Sequence, residues 1–416
     1  MEVCVIGAGA AGLAAARHAQ DAGFNCTVYE MCSDVGGVWI YTDDTHHDKY
    51  GYPVHSAMYK GLYTNLPKEI MGFPDFSIRD HPQSYLSQEE ILRFLNDYTD
   101  NFNLRPLIQF NHIVNEIYPL DGGKWRVTVV NKLTKASSSN VYDCVMICTG
   151  HYSSPYYPNI PGRDTFKGEQ YHSKYYRSPD AYTGKDMLVI GAGPSGMDLA
   201  LHLSKTANKV YFSHNNDHLR AKYPDNVSMK PLSKSIGEHE VNFEDGTSCK
   251  VDVIFYCTGY LYDFPFLHES CGITVNDNFI EPLYKHIIHI EKPTMCLIGV
   301  PFNVCAFQMF DLQARFYINY LKGNMKLPTP EAMRADALQE LEEKLSKGFP
   351  ISQAHMLGPY QRSYYSDLAN LAKTHDIPEV MLKIKKASFE RFTEDLLNFR
   401  RDVYKIIDDE NFIHVC

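Results

Sequence analysis

Val3-Cys4-Val5-Ile6-Gly7-Ala8-Gly9-Ala10-Ala11-Gly12-Leu13-Ala14-Ala15-Ala16, followed by Cys26-Thr27-Val28-Tyr29-Glu30, decides the fold. The four apolar residues before Gly7 suit a buried parallel strand, and Leu13 with the alanines after it favours a helix. Between them, Gly7 permits a tight turn, Gly9 a close approach of backbone to a pyrophosphate, and Gly12 close contact between helix and strand. The free N–H groups and positive dipole end at the helix start are suited to phosphates. Glu30, eighteen residues after Gly12, stands where a carboxylate accepts hydrogen bonds from a ribose. A Gly-rich turn alone carries little weight. Strand, turn, helix and acid in series read as a dinucleotide-binding unit.

The pattern recurs at Asp186-Met187-Leu188-Val189-Ile190, then Gly191-Ala192-Gly193-Pro194-Ser195-Gly196, a helix from Met197, and a strand Val210-Tyr211-Phe212-Ser213. The two units differ at the end of the second strand. The first closes on Glu30, which suits an unphosphorylated ribose such as that of FAD. The second continues as His214-Asn215-Asn216, without a carboxylate at the strand end and with Arg220 and Lys222 just beyond. An acid there would repel a 2′-phosphate, whereas a hydroxyl, an imidazole and cations tolerate or attract it. The pair therefore predicts FAD in the first unit and NADP(H) in the second. The fold class is α/β, two Rossmann-like dinucleotide-binding domains of three layers each, with an NADP-binding domain (164–269) inserted in an FAD-binding domain (1–163 and 270–416). A proline-dense linker at 153–162 marks the first crossing.

The bulk properties narrow the partners. The chain has 416 residues, a net charge of −10 and 22% charged residues, a globular composition whose sign disfavours nucleic acid or an anionic membrane as partner. No apolar run approaches the ~20 residues of a membrane helix. Eleven scattered cysteines without a C-x-x-C pair suit reduced thiols, hence a cytoplasmic enzyme, the alternative being secretion after removal of a leader outside this chain. His46-His47 and His286/His289 lack companions at ligand spacing, so no metal is expected. Homo-oligomerisation stays open.

Further elements follow from local chemistry. Ser87 and Glu90 form a capping box before Ile91, Leu92, Phe94, Leu95 and Tyr98. Residues 125–130 alternate as a strand after the turn Asp121-Gly122-Gly123, and 142–148 read as a buried strand ending in Thr149-Gly150. Residues 251–260 repeat that ending as Thr258-Gly259. Thr329-Pro330 starts a helix with Leu338, Leu341 and Leu345 on one face and Gly348 past its end. The tail 383–409 reads as an amphipathic helix against the body.

Phe166-Lys167-Gly168-Glu169-Gln170-Tyr171-His172-Ser173-Lys174-Tyr175-Tyr176-Arg177 resembles the F-x-G-x-x-x-H-x-x-x-Y/F-K/R fingerprint of the flavin-containing monooxygenases, and lies between the two Gly-rich turns as it does there. Gly36-Gly37-Val38-Trp39, Thr64-Asn65, Cys148-Thr149-Gly150-His151 and Cys257-Thr258-Gly259-Tyr260 resemble further family motifs. Asp311-Leu312-Gln313-Ala314-Arg315-Phe316 is similar to its E-x-Q-A-R-W, with Asp for Glu and Phe for Trp. The resemblance is closest to the soluble insect-type enzymes, some of which N-oxidise plant alkaloids. It implies FAD, NADPH and O2, with oxygenation of the nitrogen or sulfur of tertiary amines, alkaloids or thioethers through a C4a-hydroperoxyflavin. The FAD contacts it implies are Gly7, Gly9, Ala11, Gly12, Glu30, Gly37, Val38, Trp39, Thr64, Asn65, Leu66, Val114, Thr149, Gly150 and Gln313. For NADP they are Gly191, Gly193, Pro194, Ser195, Gly196, Ser213, His214, Arg220, Thr258 and Gly259. Asn65 is the catalytic candidate, because its amide donates a hydrogen bond without supplying an acidic proton. Two alternatives remain at this level: a Baeyer–Villiger monooxygenase, whose fingerprint carries Trp where Tyr176 stands, and a non-enzymatic flavin and NADPH sensor.

Overall fold

Alternation along two strands sets the architecture. Val3 and Val5 face one side of the strand Glu2–Ile6 and join the core formed with the helix α1 (Ala10–Asp21), while Cys4 and Ile6 join a second core on the opposite face. The period of two in a strand makes both faces apolar only when both are covered. In the computed structural model, which describes residues 1–78, 81–217 and 219–415, that strand is central in a seven-stranded sheet. Asn25–Glu30 and Cys144–Ile147 flank it in parallel, Val3 pairing with Cys26 and Cys144. Ile108–Phe110 and Met295–Leu297 extend the parallel part, and Ile288–His289 with Leu283–Tyr284 close one edge antiparallel.

α1 lies on one face, against α4 (Ala306–Leu321); Leu13, Ala14, Ala15, Ala16 and Ala19 are fully buried, and their small side chains let the two helices approach closely. The meander His112–Pro119, Trp125–Asn131, Ser137–Tyr142 covers the other face. α2 (Gln88–Asn101) completes the helical side and carries the expected capping box between Ser87 and Glu90.

The same logic builds the second half. Asp186–Ile190 is central in a five-stranded, all-parallel sheet with Val227–Lys230, Lys209–Ser213, Val253–Tyr256 and Glu169–His172. Met187 and Val189 pack under α3 (Pro194–Leu203), and Leu188 and Ile190 under the hairpins Ser233–Ile236, Glu240–Phe243 and Ser248–Lys250. Two chain crossings join the halves, and they pair: Ser154–Pro155 runs antiparallel to Tyr260–Leu261.

Two expectations are corrected. Thr329 does cap α5 (Pro330–Ser346), but Leu338 (54% exposed) and Leu345 (43%) face outward, and the helix buries Met333 and Lys344 instead. Lys344 is drawn inward by Glu340 at 2.8 Å and the Ala354 carbonyl at 2.5 Å, so charge pairing overrides the leucine pattern. The tail is not one helix. α7 (Glu379–Glu394), which follows α6 (Gln361–Ala372), stops before Asp395, whose ψ of 66° leaves the helical region. The chain continues through the turn Phe399–Arg401 into a hairpin of Val403–Ile406 and Phe412–Val415. Val380, Ile384, Phe392, Leu396, Phe399 and Tyr404 share a core with Val189, Phe212 and Phe255 of the second sheet, so the tail spans the two halves.

Candidate active site

The first Gly-rich turn is closed from several sides. Gly7 has φ +99°, and a Cβ on Gly12 would lie 1.8 Å from the Gly7 carbonyl oxygen, so helix and strand meet there without room for a side chain. A Cβ on Gly37 would come within 2.9 Å of Gly9 Cα, so two glycine backbones face each other with no room for a side chain between them. Gly37 is held from behind by His55 Nε2, 2.9 Å from its carbonyl, and Ser56 donates to the Val38 carbonyl at 3.0 Å. Glu30 is buried, and its two carboxylate oxygens accept from Ala8 N–H at 2.6 Å and Cys32 N–H at 2.7 Å. An ionised carboxylate has about four acceptor sites, so the same group can stiffen the turn and still receive a ribose hydroxyl. Thr149 and Gly150 are exposed at the end of the adjacent strand, next to Gly7. Ala11 and Gly12 are buried in the first turn of α1. This cradle, with the start of α1 directed at it, fits a pyrophosphate.

The second turn repeats the helix–strand contact: a Cβ on Gly196 would lie 1.7 Å from the Gly191 carbonyl oxygen. Gly193 differs from Gly9, since nothing lies within 4 Å of the place its Cβ would take. Gly191, Gly193, Pro194, Ser195, Thr258 and Gly259 all face a cleft of about 1480 Å³. That exceeds the ~300–1,000 Å³ usual for one small ligand, so it has room for nucleotide and substrate together.

Val38, Trp39, Thr64, Asn65 and Leu66 line the same cleft. Asn65 is exposed in it, while its neighbour Thr64 is buried and pinned to Leu86 by two bonds, N–H to carbonyl at 2.8 Å and Leu86 N–H to Oγ1 at 3.1 Å. Tyr59, Tyr63, Tyr152, Tyr262 and Phe307 surround this space with rings. His151 lines it too. Burial pushes its imidazole down to about 4, against the bond from Nδ1 to the Gly299 carbonyl, so it is neutral and its buried Nε2 has no partner.

The 166–177 segment shows why each fingerprint residue is needed. Phe166 is core, and a Cβ on Gly168 would strike the Asp252 carbonyl at 2.3 Å. His172 is buried with Nε2 2.9 Å from the Gly259 carbonyl, which holds the second linker. Tyr176 lines the cleft. Arg177 donates to the carbonyls of Thr42, Asp44, Ser56, Lys174 and Tyr176, tying the 42–56 loop that backs Gly37 to the segment between the two Gly-rich turns.

Several residues sit elsewhere than their motifs imply. Ser213 is fully buried, donating to the Pro231 carbonyl at 2.8 Å and lying 3.0 Å from Ser233 Oγ, so its hydroxyl is spent inside the protein. His214 reaches the cleft, but burial lowers its pKa and it supplies no positive charge. Arg220 is exposed and bonded through its N–H to the Thr393 carbonyl, beside the end of α7. Glu244, which the sequence did not single out, lines the cleft with Asn215, Asn216 and Ser233. Gln313 is fully buried, its Oε1 accepting from Gly299 N–H at 2.8 Å and its Nε2 donating to Tyr364 Oη at 2.7 Å, so it shapes the Gly299 turn from behind. Val114 is half-buried in the meander, paired with Val129. Asp311 fastens α4 to α1, accepting from His18 at 2.6 Å and Arg315 at 2.7 Å. Burial opposes its charge, but these partners hold its carboxyl below the ordinary range. Among the described residues no group of three or more His, Cys, Asp or Glu gathers at metal-ligand distance, and no helix is long and apolar enough to cross a membrane.

Known proteins share this arrangement. The family model described as flavin-binding monooxygenase-like matches residues 1–220 and 214–393. Senecionine N-oxygenase of Tyria jacobaeae is 32% identical over 99% of this chain and 91% of its own. Flavin-containing monooxygenase FMO GS-OX4 of Arabidopsis thaliana is 37% identical over 89% and 84%. The solved structure of S-allyl-L-cysteine S-oxygenase from Allium sativum superposes with a TM-score of 0.91 at 32% identity, over 96% of this chain and 94% of that one. With both strand–turn–helix units formed and the family model spanning most of the chain, the protein belongs to the flavin-binding monooxygenase-like family, enzymes that use FAD, NADPH and O2.

Proposed function

We propose that this enzyme transfers one oxygen atom to the nitrogen or sulfur of a soft nucleophile, a tertiary amine, alkaloid or thioether. The observation that carries the reading is the placement of Asn65, exposed on a loop whose preceding residue is locked to Leu86, in the same cleft as the open second turn. The N-oxygenase and S-oxygenase relatives support it. Bound FAD, reduced by NADPH, would supply the oxygen-activating centre. The chain's own residues would do the rest. Gly7, Gly9, Gly12 and Glu30 would hold the FAD pyrophosphate and ribose. Gly191, Gly193 and Ser195 would hold NADP(H), and the rings of Trp39, Tyr59, Tyr63 and Phe307 would exclude water. The Asn65 amide donates a hydrogen bond without being acid enough to hasten loss of peroxide.

NADPH consumption by the yellow holoenzyme, screened with tertiary amines, alkaloids and thioethers, tests the reading. Asn65→Ala and Asn65→Asp should leave flavin reduction intact and divert turnover to H2O2. Full oxygenation by either variant would refute the role of Asn65, and no stimulation by any nitrogen or sulfur nucleophile would refute the substrate class.

A further inference from the structure

Arg400 stands on the turn Phe399–Arg401, far along the chain from either Gly-rich turn, yet it lines the cleft. Its guanidinium meets two separate parts of the wall at once. Nη1 donates to Asp198 Oδ1 at 2.9 Å, Nε to the Thr64 carbonyl at 3.2 Å and Nη2 to the Tyr63 carbonyl at 3.3 Å. Asp198 belongs to α3, the helix whose first turn forms the second nucleotide cradle, and its other oxygen accepts from Tyr59 Oη. Tyr63 and Thr64 are the two residues before Asn65. The base of the clamp is rigid: the Phe399 ring lies 5.0 Å from both Tyr85 and Phe392, edge to face.

Three features set this pair apart from an ordinary surface salt bridge, which is worth little. Both side chains are largely buried, Arg400 24% exposed and Asp198 16%. The guanidinium also satisfies two carbonyls, a use of its planar fork that an ammonium cannot copy. And the elements it joins come from the two halves and the tail, with no local reason to be together.

We propose that Arg400 is a positioning residue that fixes the Tyr63-Thr64-Asn65 backbone against the NADP-side helix, so that the Asn65 amide stays aligned while nucleotide and substrate exchange. Arg400 acts through Asn65 and thus rests on the reading above. Releasing the loop lets NADPH, H⁺ and O2 yield NADP⁺ and H2O2, with no oxygen atom delivered to substrate.

Two measurements on the FAD-loaded enzyme test it, with Arg400→Ala, Arg400→Lys and Asp198→Asn. Hydrogen–deuterium exchange should rise for Arg400→Ala in peptides covering 59–66 and 194–203, and stay unchanged in the central strands 2–6 and 186–190. With a saturating tertiary amine, H2O2 released per NADPH should rise about tenfold or more, while anaerobic flavin reduction changes by less than about twofold. Arg400→Lys, which keeps the Asp198 bond, should recover part of the coupling, and Asp198→Asn should fall between wild type and Arg400→Ala. Unchanged exchange and unchanged peroxide release in Arg400→Ala overturn the proposal, as does a rise in exchange spread evenly over the molecule. Should Arg400→Ala fail to fold, Asp198→Asn decides alone: no rise in exchange at 59–66 overturns it. An inactive wild type would refute the oxygenation reading, whereas the exchange data would still decide the clamp.

Discussion

The two Gly-rich units are nearly superimposable in sequence and differ in how the surrounding protein treats them. Around the first, Gly37 faces Gly9 at contact distance, and Glu30 clasps Ala8 and Cys32. Around the second, Gly193 meets nothing within 4 Å, Ser213 at the end of its second strand turns inward, neutral His214 follows where Glu30 follows Tyr29 in the first, and the turn opens on the cleft. The difference would suit a resident cofactor at the first motif, as proposed for FAD, and an exchanging co-substrate at the second. A group held through many turnovers gains from an enclosed cradle, whereas one that leaves each cycle needs an open one.

The largest expected effects break one unit and spare the other. Gly12→Ala and Gly196→Ala each force a Cβ onto a carbonyl oxygen at 1.8 and 1.7 Å, an overpacking cost of about 3 kcal/mol. Gly12→Ala should purify colourless. Gly196→Ala should stay yellow and lose NADPH turnover by roughly 100-fold, read from absorbance and steady-state kinetics. Next come the strand-end residues. Glu30→Gln leaves one of two buried N–H groups facing an amide N–H, at about 1–3 kcal/mol, and should speed FAD loss in gel filtration. Ser213→Ala should lower Tm yet shift the KM for NADPH by less than about twofold, because its hydroxyl serves only the protein.

A pH test compares one histidine from each half. Burial pushes His151 and His172 down to about 4, whereas an unfolded histidine titrates near 6.5. The folded state binds fewer protons between those values. Stability from both is complete above about pH 6.5 and is lost as pH falls toward 4. Tm should fall through that window, and His172→Gln should flatten part of the slope; a flat Tm profile in wild type would contradict the burial argument. The smallest effect belongs to Glu244→Gln. Removing a carboxylate from the open cleft should lower the KM for NADPH by at most about fivefold, with less change for NADH, a screened surface charge being worth up to ~1 kcal/mol.

Strands, helices and turns were legible wherever the local pattern and the tertiary environment agree. The run 3–16 is apolar on both faces because both are covered, and Ser87 and Glu90 cap the helix they mark. Pattern reading failed where a buried polar group decides, as at Lys344, whose ammonium reaches the Ala354 carbonyl and Glu340, itself bonded to His286. Leu338 and Leu345 look like a helix face, but Lys344 goes inward to meet Glu340. At the site, the 166–177 fingerprint pointed to the right segment, though not to the five carbonyls that make Arg177 necessary. Gln313 belongs to a motif and acts from behind, through the Gly299 turn. Arg400 and Asp198 carried no signal at all, since a pair 202 residues apart has no spacing to read, and neither residue is unusual among its neighbours.

The chain contains two tryptophans, and the fold gives them opposite stations. Trp39 borders the cleft, while Trp125 is interior, its indole N–H donating to Thr294 Oγ1 at 2.9 Å. Emission from the first is therefore open to contact with whatever settles in the cleft beside it, whereas the second is shielded from contact quenching. The molecule thus carries its own optical gauge of flavin loading, readable by comparing native protein with a Trp39→Phe variant.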